Sequence, residues 1–377
     1  MCRLARTVTE SIRVGLLLLV FLAIGRASQP VMAAANAESK AWAAAPAPVA
    51  EGEASMTVTV VPRSPSGVFN ETTLVYLDGR IDADAPDRLA KALDRVDGKV
   101  AIWLNSPGGN LFAGMQLGRV IRKHAASTHI IDYRTLRPGE CYSACSLAFL
   151  GGVFRFNDNG ARYGVHRASL QGGPTPGDRD LGPDLSAAIK GYIREMGVDG
   201  RLFDLWVKAG PDEMYLLSQR QASELGVVNN GRKPPEWSIA AFPGGTLLQG
   251  QQTTADGTGM VYFSCDKKQT VFGSVYEGAG SNEAISARGW SHWLTIEDHD
   301  EISLEALGVS SKDGFVRSTF ILPPNLVRLA MSAKQIGHRM RPTNSRSPSI
   351  AYRVDIDDKS TSMVRRFLGN CLRGRGR

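Results

Sequence analysis

The sequence predicts an α/β domain built on a largely parallel sheet, followed by a smaller, mostly β domain. Three observations predict it. Between Thr73 and Val228 short apolar runs alternate with helical patterns, the order that βαβ units produce. One of these runs, Val100-Ala-Ile-Trp-Leu104, is continuous rather than alternating, as in a central parallel strand covered on both faces. Beyond Phe242 the composition shifts to Gly-, Thr- and Gln-rich loops between alternating stretches, the pattern of antiparallel strands.

The first elements concern the destination of the chain. Arg3, Arg6 and Arg13 precede an apolar run, Val14 to Gly25, of about twelve residues, too short for a bilayer that needs roughly twenty. Small residues follow at Ala33-Ala-Ala-Asn-Ala37, where an A-x-A cleavage site fits. Residues 1–37 read as a signal peptide, with an uncleaved anchor as the alternative, and place the chain in the periplasm or outside the cell. Cys2 leaves with the signal, so Cys141, Cys145, Cys265 and Cys371 remain. In an oxidising compartment, proximity in sequence favours Cys141–Cys145 and Cys265–Cys371; four buried thiols are the alternative. A net charge of +7 is partly carried by the signal and by the arginine-rich tail after Arg365. No aromatic-basic interleaving or zinc spacing argues for nucleic acid, and none is expected as a partner.

Residues 38–68, rich in Ala, Pro, Glu and Ser, read as a linker that contains a strand near Val58–Val61. The α/β domain is expected over 69–230. Leu74–Leu77 forms a strand, and Leu89, Leu93 and Val96 share a helical face. Asn105–Asn110 interrupts the chain with one Pro and two Gly. A helix from Leu111 to His124 directs Phe112, Met115, Val120 and Ile121 to the core, and Thr128–Tyr133 is the next strand. Leu147–Leu150 is helical, and Tyr163–His166 ends a strand. Pro183 opens a helix through Met196 that Gly197 stops. Further helices cover Arg201–Lys208 and the segment around Ala222 and Leu225. Residues 231–258 read as a second linker. The β-rich domain, 259–377, has strands at Met260–Phe263, Val271–Val275, Trp293–Ile296, Phe315–Leu322 and Ala351–Ile356, and a helix over Thr361–Gly369.

Three segments of the first domain carry chemistry. Asn105-Ser-Pro-Gly-Gly109 follows a buried strand, and Gly-Gly can aim backbone N–H groups at an oxyanion. Ser143, in Cys141-Tyr-Ser-Ala-Cys145 before an apolar helix, can attack a carbonyl, with the Ala144 N–H as a further donor. His166 can accept the serine proton. Each alone has an ordinary explanation: a common turn, a helix cap, a core histidine. Cys141 or Cys145 paired with a histidine is an alternative nucleophile. The cluster His292, Glu297, Asp298, His299 and Asp300 reads as a solvated turn, and no metal or cofactor is expected.

Together these segments make residues 73–230 resemble the ClpP/crotonase superfamily, and within it the exported ClpP-like serine peptidase-fold proteins of bacteria. The fourth segment of the resemblance is Leu217-Ser218 … Ala222 … Leu225-Gly-Val-Val228, which is similar to the family's closing helix. The resemblance implies a repeated ββα fold with Ser143 as nucleophile, His166 as base and an oxyanion hole from Gly108, Gly109 and Ala144. The family's aspartate lies three residues before the closing Leu-Ser. Met214 stands there, with Glu213 as the candidate substitute and Asp212 as the alternative. The helix around Leu185–Met196 matches the region of oligomer contacts, which implies a homo-oligomer. With no Walker motif and no ATP outside the cytoplasm, no ATPase partner is expected. The implied activity is ATP-independent hydrolysis of peptides or unfolded segments. The alternatives are an inactive binding or scaffold protein that meets an envelope partner, and an acyl-ester hydrolase.

Overall fold

The computed structural model describes residues 42–44, 55–61, 72–167, 183–210, 212–242, 245–265, 269–277, 290–297, 300–312, 315–342 and 349–374. The expected signal peptide lies outside the described residues. No helix among them is long and apolar enough to cross a membrane. Ala41–Arg377 group as one unit, a mixed α/β structure with several sheets, partly parallel.

Its first half runs β1 (Trp42–Ala44), β2 (Thr57–Val61), β3 (Thr72–Asp78), α1 (Ala85–Leu93), β4 (Lys99–Asn105), α2 (Leu111–Lys123), β5 (Ser127–Asp132) and β6 (Arg137–Pro138). It continues with β7 (Glu140–Tyr142), α3 (Ala144–Leu150), β8 (Phe154–Phe156), β9 (Arg162–Val165), α4 (Pro183–Glu195), α5 (Arg201–Lys208), β10 (Glu213–Leu216) and α6 (Gln219–Glu224). β3, β4, β5 and β8 are parallel neighbours, with β2 and β6 antiparallel at the margins. A second sheet has the order β1-β10-β9-β7, in which β7 and β9 are parallel.

The sequence patterns account for these elements. β3 alternates, with Val75 and Leu77 buried, whereas β4 buries Val100, Ala101, Ile102 and Leu104 because it is covered on both faces. Asn110 caps α2 by accepting the Ala113 N–H at 2.9 Å. Phe112, expected in the core, is 59% exposed, because the inward face of α2 is formed by Ala113, Met115, Leu117 and Ile121. A Cβ on Gly114 would lie 2.4 Å from the Ala144 carbonyl oxygen, so its bare backbone is what lets α3 begin against α2. The core of this half includes the fully buried Phe149, Tyr163, Tyr192 and Trp206.

The second half contains β11 (Glu236–Phe242), β12 (Gly245–Thr254), β13 (Gly257–Cys265), β14 (Thr270–Glu277), β15 (Trp290–Ile296), β16 (Asp300–Leu304), β17 (Ala306–Lys312) and β18 (Phe315–Leu322). After these come α7 (Pro324–Ser332), β19 (Gln335–Pro342), β20 (Ile350–Asp355) and α8 (Asp358–Arg373). Two antiparallel sheets result, β11-β12-β13-β14-β18-β17 and β16-β15-β19-β20. Register aligns Leu248, Phe263, Phe272 and Phe320 across four strands, all fully buried. They share a core with Leu294, Ile336 and Val354 of the smaller sheet and with Leu326, Val327, Val364 and Leu368 of the helices.

Both expected linkers need correction. Residues 231–258 contain β11 and β12, which pair along all seven residues of β11. The segment is also fastened to distant chain: Arg232 pairs with Asp355 at 2.9 Å and donates to Gln252 at 2.8 Å. Residues 38–68 contribute β2 and also β1, whose three residues pair with β10. Polar composition does not reveal β11 and β12 because Gly, Thr and Gln mark loops unless neighbouring strands supply a sheet, and β1 stays hidden because its partner β10 is remote in sequence.

Candidate active site

The site is assembled where β4 and β7 end. From β4 the chain enters the Pro107-Gly-Gly turn, in which Gly108 has φ +104° and Gly109 φ +141°. The turn is held on two sides. The Ser106 N–H donates to the Glu140 carbonyl at 2.8 Å, and the Tyr142 N–H donates to the Ser106 carbonyl at 3.1 Å, so the turn is tied to β7. On the other side the Ile81 N–H donates to Gly108 and the Asn110 N–H to Ile81, each at 2.8 Å. The Gly108 N–H donates to the Ser106 hydroxyl at 3.1 Å, inside the protein. Gly108 therefore already has an acceptor, whereas no acceptor pairs with the Gly109 N–H among the described residues.

Ser143 occupies the sharp turn between β7 and α3, at φ 56° and ψ −121°. That is a conformation an L-residue rarely adopts, and such strain concentrates at functional sites. The strand–turn–helix order is also the context in which a serine nucleophile stands clear of a sheet. Surrounding bonds hold it. The Ser143 N–H donates to the Gly164 carbonyl at 3.1 Å, and the Ser143 carbonyl accepts from the Ser146 N–H at 2.9 Å. The Ser143 side chain makes no helix-cap hydrogen bond. The Gly turn packs directly on this elbow: a Cβ on Gly108 would lie 2.8 Å from Ser143 Cβ and 3.2 Å from the Ala144 nitrogen.

His166 follows the last residue of β9. β7 and β9 pair in parallel with Tyr142 opposite Gly164. Ser143 thus falls opposite Val165, and His166 is one strand spacing, about 4.8 Å, across from the elbow and one residue further along. On its other side β10 runs antiparallel, with Tyr215 opposite Val165 and Leu216 opposite Gly164. Continuing that register brings Met214 opposite His166, with Met214 only 1% exposed. Glu213 alternates to the other face, is exposed, and accepts the Gly210 N–H at 3.2 Å. Asp212 is exposed as well. The structure therefore brings Ser143, the Gly turn and the end of β9 together, and it turns Glu213 elsewhere.

Cys141 and Cys145 are disulfide-bonded with their Cα atoms 5.2 Å apart, and Cys265 and Cys371 likewise at 5.5 Å. The first bond joins two different elements. Cys141 lies on β7 and Cys145 on α3, so it spans the elbow itself.

The sequence reading passed over the residues that anchor α3. The Ser146 hydroxyl, fully buried, lies 2.5 Å from the Gly164 carbonyl and 3.2 Å from that of Cys141. At the far end of α3, Arg122 donates to the carbonyls of Leu150, Gly151 and Gly152, and Arg155 donates to Gly152, Gly226 and Val227. Burial lowers the affinity of Arg155 for its proton, to a pKa of about 10, which leaves it a cation at neutral pH. Two guanidinium groups thus satisfy the carbonyls that a helix C-terminus leaves open. The signal in sequence was an arginine within an apolar stretch on β8, a residue type that is buried only when its donors are matched.

The histidine-acidic cluster of the second half is not the solvated turn expected for all its members. His292 is buried on β15, its Nδ1 3.1 Å from His338 Nε2, and His338 Nδ1 is 2.8 Å from the Ser274 hydroxyl. Asp298 and His299 lie outside the described residues. Among the described residues no group of three or more metal-ligating side chains occurs.

No family model matches the chain, and no curated protein matches it. Among solved structures, the membrane-bound stomatin-specific protease 1510-N is similar in two forms. The serine-to-alanine mutant shares 20% identity over 41% of this chain and 75% of that one, with a TM-score of 0.33. A lysine-to-alanine mutant in complex with a substrate peptide shares 20% over 41% and 71%, with a TM-score of 0.32.

Proposed function

We propose that this chain is an exported, ATP-independent serine hydrolase of ClpP/crotonase-like fold that cleaves peptides or unfolded segments. The observation that carries the reading is Ser143 at φ 56° and ψ −121° in a strand–turn–helix elbow, packed against Gly108. In the proposed reaction His166 takes the hydroxyl proton as Ser143 Oγ attacks the carbonyl carbon. The oxyanion is met by the N–H groups of Gly109 and Ala144, with Gly108 shaping the turn. His166 then gives its proton to the departing amine, and a water activated by the same imidazole releases the acyl group. Two disulfides fit an extracellular or periplasmic location. Self-association through α4 belongs to the same proposal.

Met214 opposite His166 favours one other reading, an inactive binding or scaffold protein of the envelope. Loss of a triad acid costs about 10⁴-fold in turnover in the best-studied serine protease. A slow enzyme is therefore expected, and covalent labelling separates the readings better than turnover. A fluorophosphonate should modify Ser143 in the wild type, not in Ser143→Ala, and much more slowly in His166→Ala. No labelling of the correctly disulfide-bonded wild type would leave the scaffold reading standing.

A further inference from the structure

We infer that the Cys141–Cys145 disulfide is a maturation latch: Ser143 becomes a competent nucleophile only once these two thiols are oxidised. The inference rests on the hydrolase reading above and concerns the regulation of that same site.

The bond joins the residue two before Ser143 to the residue two after it, and so closes a small ring around the strained turn. A non-glycine residue at φ 56° and ψ −121° persists only where its surroundings over-determine it. The described hydrogen bonds supply part of that constraint through Ser143 and Ser146. The disulfide adds the covalent part. Gly108 leaves no slack beside the elbow, because the space a Cβ would take is already bounded by the Tyr142 carbonyl, Ser143 Cβ and the Ala144 nitrogen. Relaxation of Ser143 towards an ordinary φ therefore moves Oγ and the Ala144 N–H relative to the Gly turn. Both cysteines are fully buried, so the completed bond is shielded from external thiols. That suits a one-way latch rather than a reversible sensor.

The step balances as thiol–disulfide exchange. One cysteine thiolate attacks a sulfur of a donor disulfide and releases the first donor thiol. The second cysteine thiolate attacks the resulting mixed disulfide and releases the other. The chain loses two protons and two electrons, and the donor, a small-molecule or protein disulfide, is reduced to two thiols. A chain still in a reducing compartment stays inactive.

The test refolds the full-length chain with a glutathione redox pair or with dithiothreitol. Bond state is read by alkylation and mass, fold by circular dichroism, and the nucleophile by the fluorophosphonate labelling rate. The oxidised chain should label at least about tenfold faster than the reduced chain, a factor set by the rarity of the strained conformer. Cys141→Ala/Cys145→Ala should label slowly in both buffers. Cys265→Ala/Cys371→Ala removes the remote bond between β13 and α8 and should keep the full redox dependence. Equal labelling of the oxidised and reduced chains, or wild-type labelling by Cys141→Ala/Cys145→Ala, overturns the latch. So does loss of secondary structure in both of those altered forms, since the bond would then serve the fold rather than the elbow. Failure of the oxidised wild type to label overturns the hydrolase reading itself.

Discussion

Gly108→Ala tests whether the Gly turn and the Ser143 elbow act as one device. The added methyl would sit 2.7 Å from the Tyr142 carbonyl oxygen and 2.8 Å from Ser143 Cβ, where ordinary contact begins at 3.4 Å. The turn and the elbow must therefore separate by about 0.6–0.7 Å, a displacement large enough to misalign a catalytic contact. Neither side yields cheaply, because the turn is bonded to Ile81 and β7, and the elbow to Gly164. Alanine at φ +104° adds backbone strain of about 1–3 kcal/mol. Misplacing one oxyanion donor costs about 10²–10³-fold in rate. The expected variant is folded, destabilised by about 1–3 kcal/mol in urea, and slower by about two orders of magnitude in fluorophosphonate labelling and ester hydrolysis. Wild-type labelling with unchanged stability would refute the close packing of turn on elbow.

Three further outcomes follow from particular contacts. Glu213→Ala should leave the labelling rate within about twofold of wild type, because its carboxylate faces Gly210 rather than His166; a large loss would restore it as the acid. Arg155→Met orphans the carbonyls of Gly226 and Val227, removes one of two donors to Gly152, and should cost about 3–5 kcal/mol in urea unfolding; a change under about 1 kcal/mol would contradict its anchoring role. Burial and the neighbouring His292 push His338 down to a pKa of about 3, so the folded chain stays neutral there while the unfolded chain, near 6.5, takes a proton. Stability contributed by the neutral His338 is present above about pH 6.5 and is lost as pH falls towards 3, at up to about 1.4 kcal/mol per pH unit. Unfolding free energies between pH 7 and 4 should show this slope, and His338→Gln should show a shallower one; identical slopes would refute it.

Much of the first half was legible because its pattern is local. The continuous run Val100–Leu104 marked a strand covered on both faces, and the helix opened by Pro183 lies where the apolar spacing placed it. The glycine turn and the strand-to-helix junction at Ser143 were also legible, since turn and helix-start chemistry reside in adjacent residues. Less legible were strands too short or too polar to show a pattern of their own. β1 is three residues long and pairs with β10, far along the chain. β11 and β12 sat in a stretch read as a linker, since Gly, Thr and Gln mark loops unless neighbouring strands supply a sheet. The helical pattern over Leu111–His124 directs Phe112 to the core, yet the buried face of α2 excludes it.

The sequence by itself determined which residues stand at the turn, the elbow and the end of the neighbouring strand. It also showed that methionine stands three residues before Leu217-Ser218, and that proximity pairs Cys141 with Cys145 and Cys265 with Cys371. Those are facts of residue type and short spacing, which no folding can alter. Only the tertiary structure decided that Ser143 is held at positive φ, that the first disulfide spans the elbow, that Gly108 already has an acceptor, and that Glu213 faces away. Each depends on strand register and on close approach between segments far apart in the chain. A one-residue shift of β10 would turn Glu213 to the face that Met214 now occupies, and packing across the whole sheet fixes that register.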